Sequence, residues 1–289
     1  MSISIAEAIL EGANVLRKAA VPEPRREAGS LAAHVLERDH SFLLTHADDL
    51  MQPDRLECFR GLVERRAQGE PLQYITGHQE FFGLDFEVSP DVLIPRPETE
   101  LLIETALTLI AARDQSIRIC DVGTGSGCIA VTLLHELPNA RAVALDISQS
   151  AIRVASKNAE RHGVAPRIEF VVSDCFEKLP TLTSVPFDLI VSNPPYVADG
   201  ELSGLQREVR DFEPVTSLIS GPDGLSVIRR LLDDGPKFLR PGGHLLFEIG
   251  YNQSEAIEKL ISSMGIWQLL EIRQDLQGIP RTVVVKLVS

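Results

Sequence analysis

The tetrapeptide Asn193-Pro194-Pro195-Tyr196 gathers a side-chain amide, a stiff main-chain turn and an aromatic ring directly after the apolar run Phe187-Asp188-Leu189-Ile190-Val191-Ser192. Neither proline has an N–H and each fixes its own φ, so the carbonyls of the turn lack a competing ladder partner and point outward. An amide oxygen, a free carbonyl and a flat ring around one small space suit a planar group that carries N–H donors. The same residues also read as a plain Pro-Pro turn leaving a buried strand, and on their own they leave that reading open.

A second cluster stands upstream. Asp121-Val122-Gly123-Thr124-Gly125-Ser126-Gly127 falls between a strand-like run and an apolar helix-like one. Glycine there permits a sharp turn and lets a ligand lie on bare backbone at a helix N-terminus. Asp146 ends the next strand-like run, at the point where a carboxylate can accept both hydroxyls of a ribose. Together they imply an adenosine-bearing cofactor. A dinucleotide site usually reads G-x-G-x-x-G, whereas this loop reads G-x-G-x-G with Asp121 just ahead of it. A carboxylate so placed repels a pyrophosphate and receives a cation or an amino group. S-adenosylmethionine, with a sulfonium and an α-amino group, therefore fits better than NAD. Ser173-Asp174-Cys175-Phe176 follows the third strand-like run: Asp174 either accepts from an adenine amino group or caps a helix, and Cys175 or Phe176 can line the ring.

These residues need a frame. From Ile117 onward strand-like and helix-like runs alternate, which predicts a parallel sheet covered on both faces. Strands are expected at Ile117–Asp121, Arg141–Asp146, Ile168–Val172, Phe187–Ser192 and His244–Ile249, and helices at Cys128–Glu136, Ser150–His162, Gly224–Asp233 and Ser254–Met264. Trp267–Ile272 and Thr282–Val288 read as a closing antiparallel pair. The first seventy or so residues carry helical stripes instead, among them Ile5, Ile9, Ala13 and Leu16, then Leu56, Phe59, Leu62 and Val63. Tyr74-Ile75-Thr76 and Glu80–Val88 read as extended segments around a turn at Gly83. The expected division is a helical bundle over 1–70, a hairpin linker over 71–95 and a cofactor domain over 96–289.

Composition narrows the function classes. With 289 residues and 44% hydrophobic content the chain can bury a sizeable core. A net charge of -13 disfavours broad attraction to phosphate backbones. Cys58, Cys120, Cys128 and Cys175 show no C-x-x-C spacing, so neither a disulfide framework nor a zinc site is expected, and no metal. No apolar run is long enough to span a membrane, and the start lacks the basic head and apolar stretch of a signal peptide, so a cytoplasmic location is expected.

Taken together, these motifs resemble the class I S-adenosylmethionine-dependent methyltransferases, in the branch whose Asn-Pro-Pro-Tyr motif marks methylation of planar nitrogen groups. The chain is similar more specifically to the HemK/PrmC family, through Leu93-Ile94-Pro95-Arg96-Pro97-Glu98-Thr99-Glu100, Glu213-Pro214 and Gly221-Pro222-Asp223-Gly224-Leu225, and the similarity spans nearly the whole chain. The resemblance implies a doubly wound, mostly parallel seven-stranded sheet with a small N-terminal helical bundle and a β-hairpin linker. It also implies methylation of the glutamine side-chain amide in the Gly-Gly-Gln loop of peptide chain release factors; the helical N-terminal domain is then the expected docking surface for that protein, and the acidic balance leaves no direct binding of nucleic acid expected.

By the same resemblance, Asn193, Pro194 and Tyr196 carry the catalysis, and Asn193, Pro194, Pro195 and Tyr196 hold the substrate. Asp121, Gly123, Thr124, Gly125, Ser126, Gly127, Asp146, Asp174, Cys175 and Asn193 hold S-adenosylmethionine. Two positions depart from the family pattern. Cys175 stands where some relatives carry an aromatic residue, which bears on cofactor affinity, and Gly221-Pro222 replaces a commoner Gly-Gly. Arg96 and Glu98 either border the substrate opening or form structural ion pairs, while Glu248 and Tyr251 read as packing or capping residues. The alternatives are glutamine methylation of a ribosomal protein, amino methylation of adenine or guanine in nucleic acid, and a binding module without turnover. The acidic balance and the Ile94-to-Glu100 segment count against a nucleic-acid acceptor.

Overall fold

The computed structural model describes residues 3–110, 112–181 and 185–288. The chain divides into two compact units, one made of residues 1–78 with 206–212 and the other of 79–205 with 213–289.

The first unit is helical: α1 Ile5–Lys18, α2 Pro24–Leu36, α3 His40–Thr45, α4 Pro53–Ala67 and α5 Leu72–Thr76. A reciprocal cap starts α1, the Ser4 hydroxyl accepting from the Glu7 amide at 3.2 Å and the Glu7 carboxylate from the Ser4 amide at 2.8 Å. Ile5, Ala13, Leu16, Leu31, Phe59 and Val63 turn their stripes into one buried core. Residues 206–212, which sequence continuity assigns to the 96–289 segment, cluster with this unit, and the buried Arg66 pairs with both Glu27 and Glu208. Tyr74-Ile75-Thr76 corrects an expectation: it is helical, in α5, and not extended. The amides of Tyr74 and Ile75 both donate to the Pro71 carbonyl at 3.1 Å, and Gly77, at φ +80°, ends the turn. Burial of Tyr74 and Ile75 on one turn outweighs the strand preference of their types.

The second unit opens with the hairpin β1 His78–Phe81 and β2 Leu84–Glu87, turning at Gly83, then α6 Glu100–Leu109. Next come β3 Arg118–Val122, α7 Cys128–Glu136, β4 Arg141–Asp146, α8 Gln149–Arg161, β5 Ile168–Val172 and β6 Phe187–Ser192. Past the short α9 Arg207–Phe212, which belongs to the first unit, follow α10 Ser226–Asp234, β7 Leu239–Glu248, α11 Ser254–Met264, β8 Trp267–Gln274 and β9 Pro280–Leu287.

The seven strands run β5-β4-β3-β6-β7-β9-β8, parallel except for β9, which is antiparallel to both neighbours. Side-chain alternation sorts the core. Cys120, Ile190, Leu245, Phe247, Val283 and Val285 pack on one face, and Ile119, Leu189, Val191, Leu246 and Val284 on the other. β3, β4, β6 and β7, covered on both faces, read as near-continuous apolar runs in the sequence.

Candidate active site

The carboxyl ends of β3, β4, β5 and β6 open into a cavity of about 310 Å³. It forms where the strand order reverses: β3 has β4 on one side and β6 on the other, so the loops that leave them diverge. The segment from Asp91 to Thr99 closes another part of the wall.

The glycine loop is held from below by β4. The amides of Gly123 and Thr124 donate to the Leu145 carbonyl at 2.8 and 2.9 Å, and the Gly125 amide donates to Asp146 Oδ2 at 2.9 Å. Gly125 and Gly127 have φ of +55° and +82°, but their surroundings differ. A Cβ on Gly125 would meet nothing within 4 Å, in the cavity wall, whereas one on Gly127 would stand 3.1 Å from Ala155 Cβ and block the approach of α7 to α8. One glycine leaves room for a ligand, the other for a helix.

Asp121 lies buried behind this loop and is not part of the wall. Its Oδ2 accepts from the Thr124 hydroxyl at 2.7 Å and the Ala130 amide at 3.2 Å, while Oδ1 is buried with no partner among the described residues. Burial pushes its pKa up to about 7, with the Asp146 charge adding to the rise. Asp146 does line the cavity, its Oδ1 taking the Ser148 amide at 2.9 Å, and burial raises its pKa as well.

At the end of β5, Asp174 and Cys175 both line the cavity. Asp174 does not cap a helix: its Oδ1 accepts from Arg230 at 2.6 Å, and the amide of Lys178 donates instead to the Ser173 hydroxyl at 3.1 Å. Cys175 takes a left-handed φ of +45°, and burial holds its thiol up at about 11, hence protonated.

Asn193, Pro194 and Pro195 line the opposite side, at the end of β6. Asn193 Nδ2 donates to Thr99 Oγ1 at 2.9 Å, Thr99 Oγ1 donates to Glu248 Oε2 at 2.7 Å, and the Tyr196 hydroxyl donates to Glu248 Oε1 at 3.3 Å. Among the described residues no backbone N–H donates to the Pro194 carbonyl. Tyr196 is outside the wall, as is Gly127. The chain beyond the prolines is fixed by Gln253, whose Nε2 donates to the Tyr196 carbonyl at 2.9 Å, and by Gly224, where a Cβ would stand 2.2 Å from that oxygen. That contact gives the Gly221-to-Leu225 block a physical reason.

Thr99 and Glu248 were missed as site residues. Glu248 left a signal: an acidic residue closing the apolar strand His244-Leu245-Leu246-Phe247, in a sheet covered on both faces. Arg96 lines the cavity and pairs with the buried Glu213, while Tyr251 is exposed.

Residues 7–77 match the family described as the PrmC N-terminal domain, and residues 113–277 match a methyltransferase domain. A release factor glutamine methyltransferase of Koribacter versatilis is 44% identical, covering 93% of each chain. One from Nitratidesulfovibrio vulgaris is 45% identical over 93% of this chain and 90% of its own. The chain belongs to the release factor glutamine methyltransferase family. Its fold is also that of the hMettl16 catalytic domain solved with the MAT2A 3'UTR hairpin 1, at a TM-score of 0.58 and 17% identity, over 89% of this chain and 90% of that one.

As a member of this family the protein is a methyltransferase whose methyl donor is S-adenosylmethionine. The residues present fit that group. Asp146 in the wall, with the partnerless Asp121 Oδ1 buried behind the loop, leaves this end of the cavity short of positive charge, and the open space at Gly125 gives a ligand access to bare backbone. A pyrophosphate would meet the Asp146 carboxylate in the wall with like charge.

Proposed function

We propose that this protein methylates the side-chain amide nitrogen of the glutamine in the Gly-Gly-Gln loop of peptide chain release factors. What supports the reading is Asn193: with Nδ2 engaged by Thr99, its Oδ1 is the amide's accessible acceptor, one residue from the Pro194 carbonyl. Two acceptors in the wall suit the two N–H bonds of a primary amide.

A carboxamide nitrogen is a weak nucleophile because its lone pair is delocalised, so the site must place it rather than deprotonate it. Asn193 Oδ1 and the Pro194 carbonyl would each accept one amide hydrogen and fix the nitrogen's direction. S-adenosylmethionine supplies an electrophilic methyl carried on a sulfonium. As positive charge develops on the nitrogen, both acceptors bind it more strongly than they bound the neutral amide, which lowers the barrier. The amide proton then leaves to water.

Asp146 is assigned the ribose hydroxyls, Gly123, Thr124, Gly125 and Ser126 the charged end of the cofactor, with Asp121 and Gly127 holding that loop from behind, and Asp174 and Cys175 the adenine side. Pro195 stiffens the turn. Tyr196 is assigned the anchoring of that turn through Glu248, since its position outside the wall does not support packing on the substrate amide. The helical 1–70 segment is assigned to docking the release factor, 71–95 to a linker and 96–289 to catalysis. The net charge of -13 supports a protein acceptor over a nucleic acid, and no described helix is long and apolar enough to cross a membrane, consistent with work in the cytoplasm.

The test is transfer of labelled methyl from S-adenosylmethionine to intact release factor, to the same factor with its loop glutamine replaced, to ribosomal protein and to nucleic acid. Label is expected on the first alone. Label on the glutamine-replaced factor, or only on ribosomal protein or nucleic acid, would overturn the reading.

A further inference from the structure

We propose that Glu248 and Thr99 are positioning residues that set which end of the Asn193 amide faces the acceptor, and that the anionic form of Glu248 is the productive one. The inference rests on the reading of Asn193 as acceptor of a substrate amide. A hydroxyl has one hydrogen to donate. In Thr99 that hydrogen is committed to Glu248 Oε2 at 2.7 Å, so toward Asn193 the hydroxyl can only accept. The Asn193 group facing it at 2.9 Å must then be the NH2, which turns Oδ1 away from Thr99.

Glu248 is buried, and its other oxygen is also occupied as an acceptor, by the Tyr196 hydroxyl at 3.3 Å. A carboxylate accepts at both oxygens and donates at neither. Protonation reverses one link. A carboxylic acid can donate to Thr99, whose hydrogen is then free for the Asn193 carbonyl. The amide would turn over and present NH2 to a substrate that itself offers NH2. Donor would face donor.

The charged and titratable groups around Glu248 are the Tyr196 hydroxyl, Arg281 on β9, Glu98 beside Thr99, and Cys128 on α7. Tyr196 and Cys128 have raised pKa values and stay neutral near neutral pH, while Arg281 and Glu98 act on Glu248 in opposite directions. Burial is the largest influence and puts the Glu248 pKa at about 7, so its two forms exchange in the neutral range.

Four variants of the full chain test this: Thr99→Val, Thr99→Ser, Glu248→Gln and Asn193→Ala, with Thr99→Val/Asn193→Ala as the double. With release factor as substrate, Thr99→Val and Glu248→Gln are expected to lower kcat by about 100-fold, the size of losing one preorganised electrostatic partner. KM and the affinity for S-adenosylhomocysteine should stay within about threefold, and Thr99→Ser should restore kcat. Wild-type kcat should fall as pH drops through about 7, and Glu248→Gln should lose that limb together with the Glu248 share of the infrared carboxylic-acid band that appears on acidification, leaving the Asp121 share. The double variant should be no slower than Asn193→Ala, because Thr99 acts only through Asn193. Full activity of Thr99→Val, a persisting acid limb in Glu248→Gln, or additive losses in the double would overturn the proposal. Full activity of Asn193→Ala would instead overturn the acceptor reading beneath it.

Discussion

The Gly125 amide donates to Asp146 Oδ2 at 2.9 Å, which ties the tip of the glycine loop to the end of the neighbouring strand. One carboxylate thus shapes the loop and faces the cavity.

Replacing Asp146 with alanine removes both the tether and the proposed ribose acceptor. S-adenosylmethionine should bind about 10- to 100-fold more weakly, as expected for losing charge-assisted hydrogen bonds worth about 1.5–3 kcal/mol. Calorimetric titration measures this directly, and unchanged affinity would remove Asp146 from the cofactor site.

Gly127 and Gly125 should fail in different ways. Gly127→Ala forces a Cβ to 3.1 Å from Ala155 Cβ at a φ of +82°, and should cost about 2–4 kcal/mol of stability from overpacking and left-handed strain combined. Adding Ala155→Gly should recover only part of the packing share, because Ala155 Cα also stands 3.2 Å from the new Cβ. Gly125→Ala meets no atom within 4 Å, so its stability loss should stay near 1–2 kcal/mol, the backbone share alone, while its side chain intrudes on the ligand's space. Urea melts read the first variant and cofactor titration the second; equal stability losses would refute the distinction.

Asp121 makes stability depend on pH. Its folded pKa of about 7 lies above the ordinary 3.8, so the folded protein holds the proton more tightly. Stability is therefore lost as pH rises through that window, at no more than about 1.4 kcal/mol per unit crossed. Without cofactor, Asp121→Asn should melt higher than wild type at pH 8, with the gap shrinking at pH 5. A gap that does not change with pH would show that Asp121 is ionised throughout.

The thiols give a simple check on packing. Cys58 is exposed, while Cys120, Cys128 and Cys175 are buried, with Cys128 and Cys175 raised to about 12 and 11. Native protein should show one fast thiol toward Ellman's reagent and four in denaturant. A second fast thiol would mean that Cys175 opens to solvent through the cavity.

The sheet was legible because parallel strands covered on both faces must be apolar almost throughout, and because glycine and proline mark the turns at their ends. Tyr74-Ile75-Thr76 was misread since one helical turn is too short for periodicity to outweigh β-branched and aromatic composition. Asp174 could not be settled, because its partner Arg230 lies 56 positions away and no local pattern announces the pair.

The sequence by itself determined which groups stand at the strand ends. Asn193-Pro194-Pro195, the Gly123-to-Gly127 turn and Asp146 owe their placement to local backbone geometry, which short stretches of chain dictate. Only the tertiary structure decided how Asn193 is oriented. That depends on Thr99, 94 positions earlier, and on Glu248, 52 positions beyond Tyr196, and hydrogen-bond direction in such a chain is set by which groups burial forces together.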